Sequence, residues 1–321
     1  MTDAHRPGVL VTGATGFIGQ GLVRDLSRTA KYALRLGTRS AVLQSQDTAP
    51  VFHVGNVGPH TDWRAALNGV DCVIHTVGKA HAPQDESPGS LNEYRDVNVH
   101  GTLQLARQAA EAGVRRMIFL SSVKVNGENT VSAPFTPFDT PCPTDAYGVS
   151  KWEAEQGLWD ISRRTGMELV VVRPPLVYGP GVKGNLARLL RLVTKGVPLP
   201  LKAIDNKRSF VALANLTDLL VKCIEHPAAA GQTFMVSDGE DVSTPELIRR
   251  MAQAAGCNAR LFYVPLSFLR GAAGLFGRIS DFDRLSMSLQ VDISHTRNTL
   301  GWAPVIKLDQ GLIRMVSGVS D

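Results

Sequence analysis

The run Val9-Leu10-Val11-Thr12-Gly13-Ala14-Thr15-Gly16-Phe17-Ile18-Gly19 decides the fold of this chain. A short apolar strand leads into a turn with evenly spaced glycines, and Ile18, Leu22 and Leu26 then recur at helical spacing. Glycine lets the turn adopt positive φ and lets the backbone approach a pyrophosphate closely, while the helix N-terminus offers free N–H groups. Strand, turn and helix together predict a dinucleotide-binding β-α-β unit. The residues predicted to bind the cofactor here are Gly13, Thr15, Gly16, Phe17, Ile18 and Gly19.

Apolar runs alternate with helical patterns over the first half of the chain. The predicted strands are Val9–Thr12, Tyr32–Gly37, Val51–Val54, Val70–His75, Met117–Leu120 and Leu169–Val172. A helix is predicted over Val97–Ala112, and Gly113 follows it in the position that ends many helices. Strands that alternate with helices predict a Rossmann-type α/β fold with a doubly wound parallel sheet.

The C-terminal part is less regular, although a helix over Leu186–Val193 and a strand at Arg208–Val211 are predicted. No linker of low complexity separates it from the first part, so we expect a smaller, interleaved C-terminal α/β lobe that binds the substrate. We predict a dinucleotide-binding domain over residues 1–176, to which the chain returns around 207–236. The substrate lobe is then formed by residues 177–206 and 237–321.

Composition indicates an ordinary globular protein. Of the 321 residues, 44% are hydrophobic and 20% are charged, and the net charge is +5. The arginines are scattered rather than clustered, which argues against nucleic-acid binding. Four widely spaced cysteines with no C-x-x-C pair give no sign of a disulfide framework or a structural metal, and this favours a reducing cytoplasm.

The N-terminus lacks the layout of a signal peptide, and no apolar run is long enough to form an integral membrane segment. The nearest candidate is Leu266–Ile279, which Arg270 and Arg278 interrupt. We expect a core or interface helix there, with contact to a membrane surface as a minor alternative.

Several loops after predicted strands face the cofactor. Thr38 and Arg39 stand where an NAD-binding protein usually has an acidic residue, and a guanidinium can pair with a 2′-phosphate, so NAD(P)(H) binding leans toward NADP(H). Further predicted cofactor contacts are Asn56 and Val57 at the adenine, the turn Thr76, Val77 and Gly78, and Asn98, Ser121 and Pro174. Asn98 is expected to hold the active-site backbone or a water. Lys79 and His81 either touch a phosphate or sugar or are solvated.

Tyr147 and Lys151 are spaced four residues apart, so on a helix they share a face. A fixed ammonium near a phenol favours the phenolate, and we therefore expect Lys151 to lower the pKa of Tyr147. Ser122 follows a predicted buried strand, at the edge of the sheet where open α/β folds place their chemistry. Ser122, Tyr147 and Lys151 together predict a proton-transfer site.

With these motifs in order, the chain resembles the extended branch of the short-chain dehydrogenase/reductases over nearly its whole length. The resemblance rests on the glycine turn, the Ser122–Gly127 segment, Tyr147-x-x-x-Lys151, Arg173-Pro174, Arg208–Val211 and Leu300-Gly301-Trp302-x-Pro304. It is strongest to nucleotide-sugar enzymes that include UDP-hexose 4-epimerases and reductases of UDP-4-keto-6-deoxy-N-acetylhexosamines.

The resemblance implies roles for individual residues. Tyr147 would move the proton, Lys151 would lower its pKa and bind the nicotinamide ribose, and Ser122 would position the sugar oxygen. The residues assigned to the UDP-sugar substrate are Lys79, Lys124, Asn126, Asn185 and Arg208, with the pyrimidine pocket around 197–201. No metal is implied. A homodimer is expected through helices around 99–112 and 147–164, where Ala106, Ala109 and Ala110 would permit close packing.

Two departures from the family pattern concern the substrate side. Asn126 stands where the family often has tyrosine, and Ser209 stands where aspartate usually follows the arginine. Val123 and Lys124 occupy the place of the dehydratase acid, so dehydration is disfavoured. The chain is therefore expected to act at hexose C4, chiefly by NAD(P)H-dependent reduction of a UDP-4-keto-6-deoxy-N-acetylhexosamine in surface-polysaccharide biosynthesis. The alternatives are a UDP-hexose 4-epimerase with tightly bound NAD and a non-catalytic dinucleotide sensor.

Overall fold

The computed structural model describes residues 6–39, 49–80 and 90–318. The strands are β1 Gly8–Thr12, β2 Ala33–Thr38, β3 Val51–His53, β4 Cys72–His75, β5 Arg116–Leu120, β6 Glu168–Arg173, β7 Leu176–Tyr178, β8 Arg208–Ala212, β9 Gln232–Met235 and β10 Asp241–Val242. The helices are α1 Phe17–Thr29, α2 Arg64–Leu67, α3 Ser90–Arg95, α4 Thr102–Glu111, α5 Ala146–Thr165, α6 Gly184–Thr194, α7 Leu213–Glu225, α8 Thr244–Ala254, α9 Leu266–Leu275, α10 Ile279–Ser286, α11 Ser294–Leu300 and α12 Leu308–Ser317. His81 lies outside these described residues.

Seven of the described strands form one parallel sheet in the order β3-β2-β1-β4-β5-β6-β9. Both faces are covered: α1 and α7 contribute to the core on one face, and α4 and α5 contribute to the core on the other. A parallel sheet with both faces buried requires almost wholly apolar strands, and β1 and β5 are buried along their full length. The predicted doubly wound Rossmann-type fold is confirmed.

The strand order reverses direction between β1 and β4. β1 pairs with β2 on one side and with β4 on the other, and Thr12 lies opposite His75 in the register of the second pair. Ligands of open α/β sheets bind in the crevice beyond the carboxyl ends of such strands. The glycine turn after β1 and the turn at 76–78 after β4 both lie at this point.

The helical segment before β5 begins earlier than its apolar spacing predicts. Regular α-helix starts at Ser90, passes through a π-helical turn at Asp96–Gly101 and continues as α4. Tyr94, which is buried, anchors the extra turns, whereas the polar residues around it hide the helix from a periodicity argument. π-Turns inside helices are frequent at functional sites, and Asn98 lies within this one.

A second, three-stranded sheet has the order β10-β8-β7. Residues from β7, β8, α6, α8 and α12 share a separate apolar core. Within the predicted return segment 207–236, α7 packs on the first core and β9 joins the large sheet, whereas β8 belongs to the small sheet. The two parts of the chain are thus interleaved in space.

Helices α9 and α10 form an exposed hairpin on the C-terminal part of the chain. No residue of α9 is buried, so the core alternative expected for Leu266–Ile279 is wrong, while the interface alternative stays a prediction. The tip carries two large apolar side chains, Leu275 at 89% and Phe276 at 80% exposure. The many apolar residues of this segment predicted burial, but the neighbouring elements do not cover it. Within the described ranges, no helix combines the length and apolarity that a bilayer crossing requires.

Candidate active site

The glycine turn is closed by its own backbone. Gly13 has φ 73°, its N–H donates to the carbonyl of Gly37 at 3.0 Å, and the N–H of Gly16 donates to the carbonyl of Gly13 at 2.8 Å. A Cβ at Gly19 would lie 2.1 Å from the carbonyl oxygen of Gly13, so no side chain fits there. Gly16 caps α1 without a side-chain hydrogen bond. The first N–H groups of α1 therefore have no side-chain cap and are placed to meet an anion.

The floor of the crevice beside this turn is a buried polar contact between β1, β4 and α4. The two ring nitrogens of His75 lie 2.7 Å from Thr12 Oγ1 and 3.0 Å from Thr102 Oγ1. Burial lowers the pKa of His75 to about 3, and the nearby Lys151 ammonium contributes in the same direction. His75 is thus a neutral ring that fixes the strand ends rather than a proton donor at neutral pH.

Asn98 joins the loop after β4 to helix α5. Its Oδ1 accepts from the Lys79 N–H at 2.7 Å, and its Nδ2 donates to the Lys79 carbonyl at 3.1 Å and to Ser150 Oγ at 2.9 Å. The Ser150 hydroxyl in turn donates to the carbonyl of Tyr147 at 2.8 Å. Of the roles predicted for Asn98, holding the active-site backbone agrees with these contacts. A direct cofactor contact does not, because the fully buried amide is engaged within the protein.

Tyr147 and Lys151 lie in the first turns of α5, as their spacing predicts. Asp145 caps this helix by accepting from the Gly148 N–H at 2.7 Å. The Lys151 ammonium donates to the Leu120 carbonyl at 3.0 Å and lies 4.6 Å from the centre of the Phe119 ring. Helix α5 therefore holds the lysine against the carboxyl end of β5.

Burial shifts the pKa of each of these two titratable groups. Burial raises the pKa of the Tyr147 phenol to about 12, its hydrogen bond with Ser122 opposes that shift, and Asp145 adds to it. Burial lowers the pKa of Lys151 to about 8. Lys151 is not among the groups that shift the pKa of Tyr147 here, and its ammonium donates to the Leu120 carbonyl, so the expected effect of Lys151 on the phenol stays a prediction.

Gly78 brings the loop after β4 next to the lysine. A Cβ on Gly78 would lie 3.0 Å from Lys151 Nζ and 3.7 Å from Asn98 Oδ1. The predicted cofactor turn at 76–78, the predicted catalytic lysine and Asn98 are therefore neighbours. A side chain at Gly78 would crowd the Lys151 ammonium in its present position.

A buried ionic network supports the other side of the site. Glu155 receives hydrogen bonds from Ser121 Oγ at 2.5 Å and from Arg173 Nε at 3.0 Å, and a second Arg173 nitrogen meets its other oxygen at 2.5 Å. Arg173 also donates to Asn126 Oδ1 at 3.0 Å. The network spans β5, β6 and α5 below Ser122, whose Oγ accepts from the Lys124 N–H at 3.2 Å.

Most of the predicted substrate residues have protein partners. Lys79 pairs with Glu93, and Lys124 pairs with Glu128 and Asp145. Asn126 is buried, with its Nδ2 donating to the Thr136 carbonyl and its Oδ1 accepting from Arg173. Their assignment to substrate therefore requires exchange of partners, and for Asn126 a support role agrees better with the contacts.

The remaining predicted positions are spread over the carboxyl edge of the sheet and the second lobe. Arg39 is exposed directly after β2, Asn56 is exposed and Val57 half-buried in the loop after β3, and Asn185 is exposed in the first turn of α6. Pro174 is buried, and its carbonyl accepts from the Val123 N–H at 3.0 Å. Arg208 donates to the carbonyls of Arg284 and Met287 at 2.6 and 3.0 Å.

Sequence reasoning missed three residues that the structure places beneath the site: Glu155, Ser150 and Asp145. Asp145 carried a signal, since it stands directly before the helix and three residues before Gly148. Glu155 and Ser150 carried none, because their partners lie on other elements of the fold. Among the residues the structure describes, no group of three or more histidine, cysteine or acidic side chains could hold a metal ion.

Residues 9–237 match the model of the NAD dependent epimerase/dehydratase family. The chain belongs to this family. It is 46% identical over 305 residues to a UDP-glucose 4-epimerase of Vibrio cholerae, covering 94% of this chain and 92% of the relative. It is 28% identical over 260 residues to an N-acetyl-alpha-D-glucosaminyl-diphospho-ditrans,octacis-undecaprenol 4-epimerase of Escherichia coli O157:H7, covering 80% and 75%.

Solved structures agree on the fold. The UDP-glucuronic acid 4-epimerase from Bacillus cereus in complex with NAD has a TM-score of 0.80 at 20% identity, covering 97% of this chain and 96% of that one. The expected membership of the extended short-chain dehydrogenase/reductases, an enzyme class that uses NAD(P), is confirmed. The relatives favour the 4-epimerase alternative over the 4-keto reductase.

Proposed function

We propose that this protein is a UDP-hexose 4-epimerase that keeps its NAD bound through the catalytic cycle. The observation that carries the proposal is the 46% identity, over nearly the full length of both chains, to a UDP-glucose 4-epimerase. The arrangement of Ser122, Tyr147 and Lys151 beside the glycine turn supports the chemistry. UDP-glucose or UDP-N-acetylglucosamine is the proposed substrate.

The residues around the crevice fit a dinucleotide. Side chains at Gly13 and Gly19 would crowd their neighbours, and the first N–H groups of α1 have no side-chain cap, so a pyrophosphate could lie close to the backbone there. Gly78 and Lys151 border the place for the nicotinamide ribose. When bound, NAD supplies a hydride acceptor and a positive charge that favours the Tyr147 phenolate.

Tyr147 is the proposed group that moves the proton on the C4 oxygen. It would take the proton when the alcohol is oxidised and return it after the 4-keto sugar has rotated and the opposite face of C4 is reduced. The Ser122 hydrogen bond lowers the pKa of this phenol against the effect of burial. Asn98 and Ser150 fix the first turn of α5, so that the phenol keeps its position through both half-reactions.

The cofactor is proposed to be NAD rather than NADP. The preference for NADP(H) predicted from sequence rested on Arg39, whose side chain is exposed at the end of β2. Two solved relatives of the same fold have NAD named in their complexes. An epimerase returns its hydride in each turnover and therefore needs no pool of reduced NADPH.

On the substrate side, Arg208 is the proposed contact to the UDP diphosphate, with Asn185 at the start of α6 nearby in the same lobe. Arg208 is held by two carbonyls at the end of α10, and a guanidinium so oriented keeps further N–H groups for an anion. Lys79 and Lys124 are proposed to meet the sugar only if they leave their carboxylate partners.

A second substrate class is favoured by a specific observation. One relative is named as a 4-epimerase of a sugar joined through a diphosphate to undecaprenol. In this chain Arg208 donates to the Arg284 carbonyl, which belongs to the exposed apolar hairpin of α9 and α10. A lipid-linked sugar diphosphate is therefore the second candidate. It would use the same C4 chemistry.

The remaining expectations are kept as proposals. We propose a homodimer through the helices around 99–112 and 147–164. Ala106 and Ala109 are buried in this chain's own core, so they cannot supply the close packing between chains that was expected of them. Light scattering of the purified protein tests it. The cytoplasm is the proposed location.

The function is tested by incubating the purified protein with UDP-glucose and with UDP-N-acetylglucosamine, without added cofactor. Formation of the C4 epimer, together with NAD released on denaturation, is the expected result. Consumption of NADPH in stoichiometric amounts with a UDP-4-keto-6-deoxy-N-acetylhexosamine, and no epimer, would overturn the proposal in favour of a reductase. The Tyr147→Phe variant serves as the control and should retain NAD but lose turnover.

A further inference from the structure

Between residues 262 and 287 the chain displays an unusual amount of exposed apolar surface, which we call the apolar hairpin. Its large side chains with more than a third of their surface exposed are Phe262, Tyr263, Leu266, Phe268, Leu275, Phe276, Ile279, Leu285 and Met287. Scattered apolar side chains on a protein surface are normal, but a contiguous set marks a surface for a partner or a membrane.

The hairpin is fixed at its base and projects at its tip. On one side Phe262 pairs with Leu199 and Lys202 through backbone hydrogen bonds. On the other side Asn206 Nδ2 donates to the carbonyls of Leu285 and Met287 at 3.0 and 3.1 Å. The tip at 275–277 lies between the two helices, with Leu275 and Phe276 the most exposed of the set. Such an arrangement presents apolar side chains outward on a rigid stem.

Positive charge accompanies the apolar surface. The hairpin contains three arginines and two aspartates, with no lysine or glutamate. Arg270 pairs with Asp283 at 3.8 Å, and Arg278 and Arg284 are exposed near the tip and the end of α10. Apolar side chains flanked by arginines match the boundary between acyl chains and anionic headgroups.

We propose that the apolar hairpin docks this protein on the surface of an anionic phospholipid bilayer. Leu275 and Phe276 would enter the headgroup–acyl boundary, while Arg278 and Arg284 would meet lipid phosphates. The inference is independent of the reaction catalysed, since it rests on this surface alone.

Flotation of the purified full chain with vesicles tests the proposal. Vesicles of phosphatidylglycerol and phosphatidylethanolamine should carry the protein upward, whereas phosphatidylcholine vesicles should carry at least about tenfold less. The double variant Leu275→Asp/Phe276→Asp should lose at least about tenfold of the binding. Arg278→Glu/Arg284→Glu should bind the anionic vesicles less than the unmodified protein does. The difference between the two proteins should shrink as the salt concentration rises.

A matched control is Val131→Asp/Ile313→Asp, which places two acidic residues at exposed apolar positions elsewhere on the surface. It should float like the unmodified protein. The tip variant Leu275→Asp/Phe276→Asp and this control should both keep the thermal unfolding midpoint and the turnover of soluble UDP-sugar, which separates this inference from the proposed function.

Three results would overturn the proposal. The first is no flotation of the unmodified protein, and the second is equal flotation of the tip variant. The third is a tip variant that loses activity on soluble substrate in the absence of vesicles, which would make the hairpin a lid over the site. If light scattering shows a tip-dependent dimer and vesicles recover no protein, the surface is a contact between copies.

Discussion

Arg173 on β6 and Glu155 on α5 form a fully enclosed ion pair, in which two guanidinium nitrogens meet both carboxylate oxygens at 3.0 and 2.5 Å. The same carboxylate accepts from Ser121 and the same guanidinium donates to Asn126. One charge pair therefore ties the end of β5, the segment after it and the catalytic helix together.

Removing one charge of this pair should destabilise the protein strongly. Glu155→Gln leaves the Arg173 cation buried without its partner, and we expect a loss of about 3–5 kcal/mol in the free energy of unfolding, measured with urea. The control on the same helix is Asp160→Asn, whose arginine partners are exposed, and it should cost less than about 1 kcal/mol. Equal effects of the two substitutions would contradict a buried ionic network.

The double variant Glu155→Leu/Arg173→Met separates stability from positioning. Apolar residues can replace a buried ion pair with little loss of stability, so much of the unfolding free energy lost in Glu155→Gln should return. Activity should stay low, because Ser121 and Asn126 lose the groups that hold them. Recovery of both stability and turnover would show that the network does not position the site.

Gly78→Ala should impair turnover while leaving the fold intact. The new Cβ would lie 3.0 Å from Lys151 Nζ, so the ammonium should shift by a few tenths of an ångström and strain its bond with the Leu120 carbonyl. We expect kcat to fall about tenfold or more, with less than about 1 kcal/mol change in stability. Gly58→Ala, at a position with open space around it, is the control and should be indistinguishable from the unmodified enzyme.

Asn98→Ala should loosen the contact between the loop after β4 and helix α5. Three hydrogen bonds to Lys79 and Ser150 are lost, and we expect kcat to fall by about tenfold or more, since the phenol's position depends on them. Ser150→Ala removes one of those bonds and the bond to the Tyr147 carbonyl but leaves the loop held to Asn98, so it should have a smaller effect. Steady-state kinetics on both variants checks the order, and a larger effect of Ser150→Ala would contradict the assignment.

Burial of Lys151 predicts a pH-dependent stability difference. Its pKa is about 8 in the folded protein against an ordinary value of 10.5, so the unfolded state binds more protons between these values. The unfavourable contribution of the lysine is thus complete below pH 8 and fades as the pH rises toward 10.5.

Lys151→Met should therefore be more stable than the unmodified protein at pH 7, by on the order of 1–3 kcal/mol. The difference between the two proteins should shrink as the pH rises. Urea unfolding of both proteins over this range measures it. A difference that does not change with pH would mean that the lysine is charged and unstrained in the fold.

The parts of the structure that were predictable from sequence depend on short stretches of chain. The glycine turn follows from three residues that allow no side chain, and the shared face of Tyr147 and Lys151 follows from helical spacing. The alternation of apolar strands with helices gave the parallel sheet, since only buried strands are apolar on both faces.

The rest depends on which distant elements meet. Glu155 and Arg173 lie on different elements, and no local pattern reveals that they form an ion pair or that Ser121 donates to the same carboxylate. The same holds for Asn98 and Ser150, which meet only when α5 packs on the π-turn. Ala106 and Ala109 look equally suited to a contact within the chain or between chains, and the fold buries them internally.

The most direct test of C4 epimerisation with a retained cofactor uses UDP-glucose that carries deuterium at C4 of the sugar. The account predicts that the UDP-galactose formed keeps the deuterium at C4, because the hydride removed from one face returns to the other. Nuclear magnetic resonance of the product reads this position. Epimer without deuterium at C4, or deuterium recovered in reduced cofactor formed from added NAD⁺, would contradict the account.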